Sequence, residues 1–194
     1  MKKIGITGGI GSGKSIISHI LRIMGYSVYD SDSWAKKLMN SNPKIQTALT
    51  AKFGQETYID NKLNRQFLAK QIFNNKENLN FVNSIVHPIV QKHFLEWAQN
   101  QKSNLVFIES AILFSSGFNK ILDKIIFTDA PQKIRIQRTQ KRDNTSTEAI
   151  IDRINNQTND ETQAKLHADF IIINDNKTII ISQIISLLDT LKKD

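Results

Sequence analysis

Five short apolar runs, at residues 3–7, 27–29, 105–108, 124–127 and 170–173, carry no polar alternation. A strand with one wet face alternates apolar and polar side chains, whereas a strand covered by helices on both faces does not. The stretches between these runs have helical spacing, so the order strand, helix, strand predicts an α/β doubly wound fold with a five-stranded parallel sheet and helices on both faces. The first helix is expected from Lys14 to Met24, with Ile16, Ile17, Ile20, Leu21 and Met24 inward and Gly25 as its stop.

Two intervals interrupt this alternation. Residues 34–103 contain no strong strand and read as several helices, more than one crossover requires, so they are expected to form an inserted helical acceptor subdomain. Asn42 and Pro43 start one of these helices, Phe53 and Gly54 stop it, and Asn64 caps another that carries Phe67, Leu68, Ile72 and Phe73. His87 precedes Pro88 within a helical stretch, and a residue before proline is pushed away from helical geometry, so a break or kink is expected there. Residues 138–167 form the second interruption, polar and opened by a capping box from Thr145 to Glu148, and are expected to act as a mobile lid. One domain is therefore expected, with a core at 1–33, 104–137 and 168–194.

Gly8-Gly9-Ile10-Gly11-Ser12-Gly13-Lys14-Ser15 fits the phosphate-binding loop G-x-x-x-x-G-K-[ST], placed between a strand and a helix as that loop requires. It marks the fold as a P-loop NTPase. Backbone N–H groups turn inward around phosphate, Lys14 reaches the β and γ phosphates, and Ser15 offers a hydroxyl to Mg²⁺. Gly9, Gly11, Ser12, Gly13, Lys14, Ser15 and Ile16 are the expected ATP contacts, Lys14 a catalytic one and Ser15 the metal ligand.

Asp30 and Asp32 follow the second strand, where ligands of open α/β sheets bind. Either can accept a proton from an attacking hydroxyl or hold the water shell of Mg²⁺, and either can equally cap the helix that follows. Glu109, at the end of the third apolar run, has the form of a metal-assisting acid, or of one that only binds neighbouring amides. Arg138 and Arg142, four residues apart, can both face transferring phosphates or form a solvated basic face.

Composition adds constraints. The absence of cysteine excludes disulfides and thiolate chemistry, and no run approaches the roughly 20 apolar residues of a membrane span. The glycines behind Lys2 and Lys3 break any signal-like segment, so a cytoplasmic location is expected. The net charge of +8 would attract nucleic acid, acidic membranes or small polyanions such as nucleotides, and its even spread argues against nucleic acid. No obligatory protein partner is evident. A nucleotide-dependent switch is disfavoured, because Asn61-Lys62-Leu63-Asn64 and Asn176-Lys177-Thr178-Ile179 both miss the Asn-Lys-x-Asp pattern.

With these residues in view, the sequence resembles the dephospho-coenzyme A kinase family. The likeness lies in residues 7–15, Asp30-Ser31-Asp32, Leu63-Asn64-Arg65 with Leu68 and Ile72-Phe73, Ile85-Val86-His87-Pro88, and the segment from Arg138 to Arg142-Asp143. The resemblance implies transfer of phosphate from ATP to the ribose 3′-hydroxyl of dephospho-coenzyme A, the last step of coenzyme A biosynthesis. It implies Asp32 as base, Asp32, Arg65 and His87 at the acceptor, and Arg138 and Arg142 at ATP, with Arg142 catalytic. Lys36, Asn64 and Ser115 depart from the usual arginine, aspartate and glutamate, and the acceptor's polar contacts are expected to differ accordingly. A nucleoside or nucleoside-monophosphate kinase is the nearest alternative.

Overall fold

The structure, a computed structural model, describes residues 1–73 and 75–193. Its chain falls into two compact units, residues 1–29 with 101–194, and residues 30–100.

The first unit is built on the expected sheet. Strands β1 (Lys2–Thr7), β2 (Ser27–Asp30), β5 (Leu105–Glu109), β6 (Lys124–Asp129) and β7 (Phe170–Ile173) lie in the order β2-β5-β1-β6-β7. The pairs β1–β5, β1–β6 and β6–β7 are parallel, with Ile6 opposite both Glu109 and Ile126. The chain thus leaves β1 towards one edge and later returns to build the other, which makes the end of β1 a topological switch point.

Ile4, Ile6, Leu105, Phe107, Ile126 and Ile172 face one side of the sheet, where Ile17 and Leu21 of α1 (Lys14–Ile23) and Ile184, Leu187, Leu188 and Leu191 of α8 (Ile180–Lys193) bury them. α6 (Gln132–Asp143) packs on α7 (Thr147–Leu166), which lies against β6, with Lys165 above the Phe127 ring. Ile16 and Met24, expected inward, are instead 47% and 42% exposed. The sheet and α8 cover only the narrow face of α1 defined by Ile17 and Leu21, so the inward stripe is slimmer than its apolar residues suggest. Gly25 does end the helix: at φ 88° it donates to the Arg22 carbonyl while Tyr26 donates to that of Leu21, a Schellman closure.

The second unit gathers α2 (Ser31–Ser41), α3 (Pro43–Phe53) and α4 (Arg65–Ile72) on α5 (Lys76–Gln99). Val82, Val86, Val90, Phe94 and Ala98, every fourth residue of α5, form the buried row that receives them. The Asn42 and Asn64 side chains cap α3 and α4 as expected. Of the break or kink expected at His87, the break does not occur: α5 runs through Pro88. Pro88 and Ser84, whose carbonyl loses its helical donor, both lie on the exposed side of α5. The sequence also hid a small hairpin, β3 (Tyr58–Ile59) and β4 (Lys62–Leu63), whose turn residues Asp60 and Asn61 both have positive φ. Beside it the Tyr58 hydroxyl donates to the Met39 carbonyl at 2.7 Å, and burial pushes its pKa up to about 12.

Burial on α5 lowers the His87 imidazole below its ordinary value of 6.5. The unfolded chain therefore binds this proton more readily, so the stabilisation is present above about pH 6.5 and is lost as the pH falls through the folded value. The melting temperature is expected to drop between pH 7 and pH 5.5, and less so in His87→Gln. An equal drop in both proteins, read by circular dichroism, contradicts this assignment.

Candidate active site

The loop between β1 and α1 is shaped by what surrounds it. Gly13 caps α1 at φ 101° and supplies no side-chain acceptor, so the first N–H groups of the helix open towards the loop. A Cβ at Gly13 would strike the side-chain amide of Asn174, which donates to the Ser12 carbonyl at 2.8 Å. Glycine is thus required here by backbone angle and by space together. The Lys14 ammonium lies across the loop, 2.8 Å from the Gly8 carbonyl oxygen and 3.1 Å from that of Gly9. Ser15, in the first turn of α1, is exposed. The Ser12 and Thr128 hydroxyls are buried with no hydrogen-bond partner among the described residues.

Helices α6 and α7 close around this loop. The buried Arg135 donates through Nε to the Ile10 carbonyl at 2.9 Å and pairs with both oxygens of Glu161, at 2.6 and 3.0 Å. Gln157 accepts from the Ile10 N–H at 3.1 Å. Asp160 accepts from Phe114 N–H at 3.1 Å and Ser115 N–H at 2.6 Å, which fastens the loop after β5 to α7. Arg138 donates to the side-chain oxygens of Asn174, at 2.9 Å, and Asn176, and reaches the Gly11 carbonyl at 3.5 Å.

Arg142 does not join Arg138. Its guanidinium holds the neighbouring Asp143 at 2.7 and 3.0 Å, and Arg153 binds the same carboxylate at 2.9 Å. These hydrogen bonds set Asp143 below the usual carboxylate range, and Asp143 in turn raises Arg142. The helix in this region is capped by Ser146, which accepts from Ala149 N–H at 3.2 Å, so the cap sits one residue later than the box expected from Thr145. Glu148 instead folds back on its own N–H and the Ser146 hydroxyl, which lowers its pKa.

Asp32, Arg65 and His87 all belong to the second unit. Strand β2 ends at Asp30 and a helix begins at Ser31, so the two acids do not alternate along a continuing strand. Asp30 is the cap of α2: it accepts from Ser33 N–H at 3.0 Å and from the Ser33 hydroxyl at 2.8 Å. Asp32 lies exposed in the first turn of α2, Arg65 is exposed at the start of α4, and His87 is half-buried on α5.

Arg135, Gln157, Asp160, Glu161 and Asn174 escaped the sequence reading. A signal was present in α7: Ile150, Ile154 and Ala164 mark its buried stripe, and Gln157, Asp160 and Glu161 fall on that stripe at helical spacing. Polar side chains on an apolar stripe need partners, and their partners here are the phosphate-binding loop and its neighbours.

A parallel sheet covered by helices, with a glycine-rich phosphate-binding loop between β1 and α1, belongs to the P-loop kinases. Comparison with known proteins narrows that class. The family model described as dephospho-CoA kinase matches residues 2–179, and the chain belongs to that family. It is 44% identical to the dephospho-CoA kinase of Porphyromonas gingivalis over 99% of this chain and 95% of the relative. A crystal structure from Thermus thermophilus superposes with a TM-score of 0.83 at 29% identity, covering 99% of this chain and 96% of that one. Dephospho-CoA kinase from Campylobacter jejuni gives a TM-score of 0.72 at 27% identity, covering 100% and 98%.

Lys14 meets the Gly8 and Gly9 carbonyls of its own loop, and Lys14→Ala is expected to lower phosphoryl transfer by about 10²–10³-fold or more while the fold is kept. Matched circular dichroism spectra with transfer near the wild-type rate contradict that expectation.

Proposed function

We propose that this chain transfers the γ-phosphoryl group of ATP to the ribose 3′-hydroxyl of dephospho-CoA, releasing ADP and coenzyme A in the cytoplasm. The observation that carries the reading is membership of the dephospho-CoA kinase family over residues 2–179, with the phosphate-binding loop inside the match.

In this reading Asp32 takes the proton of the 3′-hydroxyl as its oxygen attacks the γ phosphorus, and the bond from that phosphorus to the β-phosphate oxygen breaks. Lys14 and the N–H groups of residues 11–15 neutralise charge on the departing ADP. Arg138 holds the nucleotide from α6, and Arg142, released from Asp143 as residues 138–167 close, meets the charge of the transition state. Arg65 and His87 orient the acceptor. The exposed Ser15 hydroxyl supplies an oxygen donor suited to Mg²⁺, a cation that usually takes few protein ligands and binds through phosphate and water. Bound there, Mg²⁺ would neutralise phosphate charge.

Three outcomes test these roles. Asp32→Asn should lower kcat by roughly 10²-fold or more with ATP affinity nearly unchanged, while Asp30→Asn, which loses a helix cap, should act mainly on stability; reversed effects in single-turnover kinetics remove Asp32 as the base. Arg142→Ala should reduce kcat more than it raises the KM for ATP, and a change confined to that KM makes the residue a ground-state binder. Excess chelator should stop turnover, and unchanged turnover would falsify the metal role.

A further inference from the structure

Ile10 sits at the apex of the phosphate-binding loop between two glycines, and both of its backbone groups are held by side chains from other helices. Arg135 of α6 takes its carbonyl at 2.9 Å, and Gln157 of α7 takes its N–H at 3.1 Å. The N–H belongs to the peptide joining Gly9 to Ile10, and the carbonyl to the peptide joining Ile10 to Gly11. Two bonds therefore fix both peptide planes around one residue.

The second plane matters for chemistry. The peptide bonds of the described chain are trans, so the Gly11 N–H points opposite to the Ile10 carbonyl. While Arg135 holds that carbonyl on its own side, the Gly11 N–H is turned to the other, where the loop receives phosphate. Gly11 has φ 74° and no side chain, so nothing local prevents this peptide from flipping. A flip would turn a carbonyl oxygen, instead of a donor, towards phosphate.

We propose that Arg135 and Gln157 are positioning residues for phosphoryl transfer, acting through Ile10 to keep the Gly11 N–H aimed at the nucleotide phosphates. Glu161 orients the arginine: its two oxygens occupy the terminal nitrogens, at 2.6 and 3.0 Å, and leave Nε for the loop. Gly9 permits the approach, because a Cβ there would collide with the Arg135 guanidinium. The hold comes from two helices, so a shift of α7 within the proposed lid would reach the loop through Gln157 and through Glu161.

The proposal rests on the kinase reading, and its test separates the two. Arg135→Met, Gln157→Leu and the double variant are compared with wild type for kcat with dephospho-CoA, for ADP affinity, for melting temperature, and for the change in the Gly11 amide ¹⁵N shift on adding ADP with Mg²⁺. Arg135→Met is expected to lower kcat about 10–100-fold and to shrink the Gly11 shift change. Gln157→Leu should move both in the same direction. The double variant should be no slower than Arg135→Met, because both side chains act through one residue. Lower melting temperatures with kcat and the Gly11 response unchanged, or effects that multiply in the double variant, overturn the proposal. Should Arg135→Met fail to fold, Glu161→Gln and Gln157→Leu carry the same readouts. The Gly11 response needs no acceptor, so a wild type inactive on dephospho-CoA defeats the kinase reading while leaving this inference decided by the shift.

Discussion

The first turn of α1 starts on Gly13, which brings no side chain to its open N–H groups, and much of the surrounding structure serves that opening. A helix N-terminus left uncapped costs stability unless a ligand completes it, and polyphosphate is a suitable ligand. The Ile17 and Leu21 face of α1 locks the helix onto β1, β5 and α8, so its N-terminus stays at the switch point of the sheet. Asn174, at the end of β7, anchors the Ser12 carbonyl and the Arg138 side chain together. The loop is thereby tied to the end of β7 and to α6.

The opposite wall uses charge inside the protein. Burying Arg135 is costly unless every hydrogen of its guanidinium finds an acceptor, and Glu161 with the Ile10 carbonyl meets much of that demand. Asp160, one residue earlier, spends its carboxylate on the loop after β5. The C-terminal half of α7 is therefore a brace for the phosphate side of the first unit. Its N-terminal half carries Arg153, which meets only the exposed Asp143 among the contacts described here.

The sheet was legible because its inner strands β5 and β6 are buried on both faces, and uninterrupted apolar runs such as residues 105–108 have few other readings. The phosphate-binding loop was legible because its glycines, lysine and serine are adjacent in sequence. Asp30 and Asp32 could not be separated by pattern, since both types of role use an acid after a strand; the structure makes Asp30 a cap through Ser33. Pro88 removes one donor from α5 without ending the helix, whose continuity rests on the buried row of Val82, Val86, Val90 and Phe94. The grip on Ile10 was invisible, because it joins residues 125 and 147 positions apart and leaves no local spacing.

The central claim is that this phosphate-gripping unit serves transfer to one hydroxyl of one nucleotide-containing acceptor. Its most direct measurement is product analysis of wild-type protein with ATP, Mg²⁺ and either dephospho-CoA or a panel of nucleosides and nucleoside monophosphates, by mass spectrometry and ³¹P NMR. The account predicts coenzyme A and ADP in equal amounts, with the new phosphate on the ribose 3′-hydroxyl and no comparable product from the panel. Phosphorylation of a nucleoside or nucleotide in preference to dephospho-CoA would contradict it.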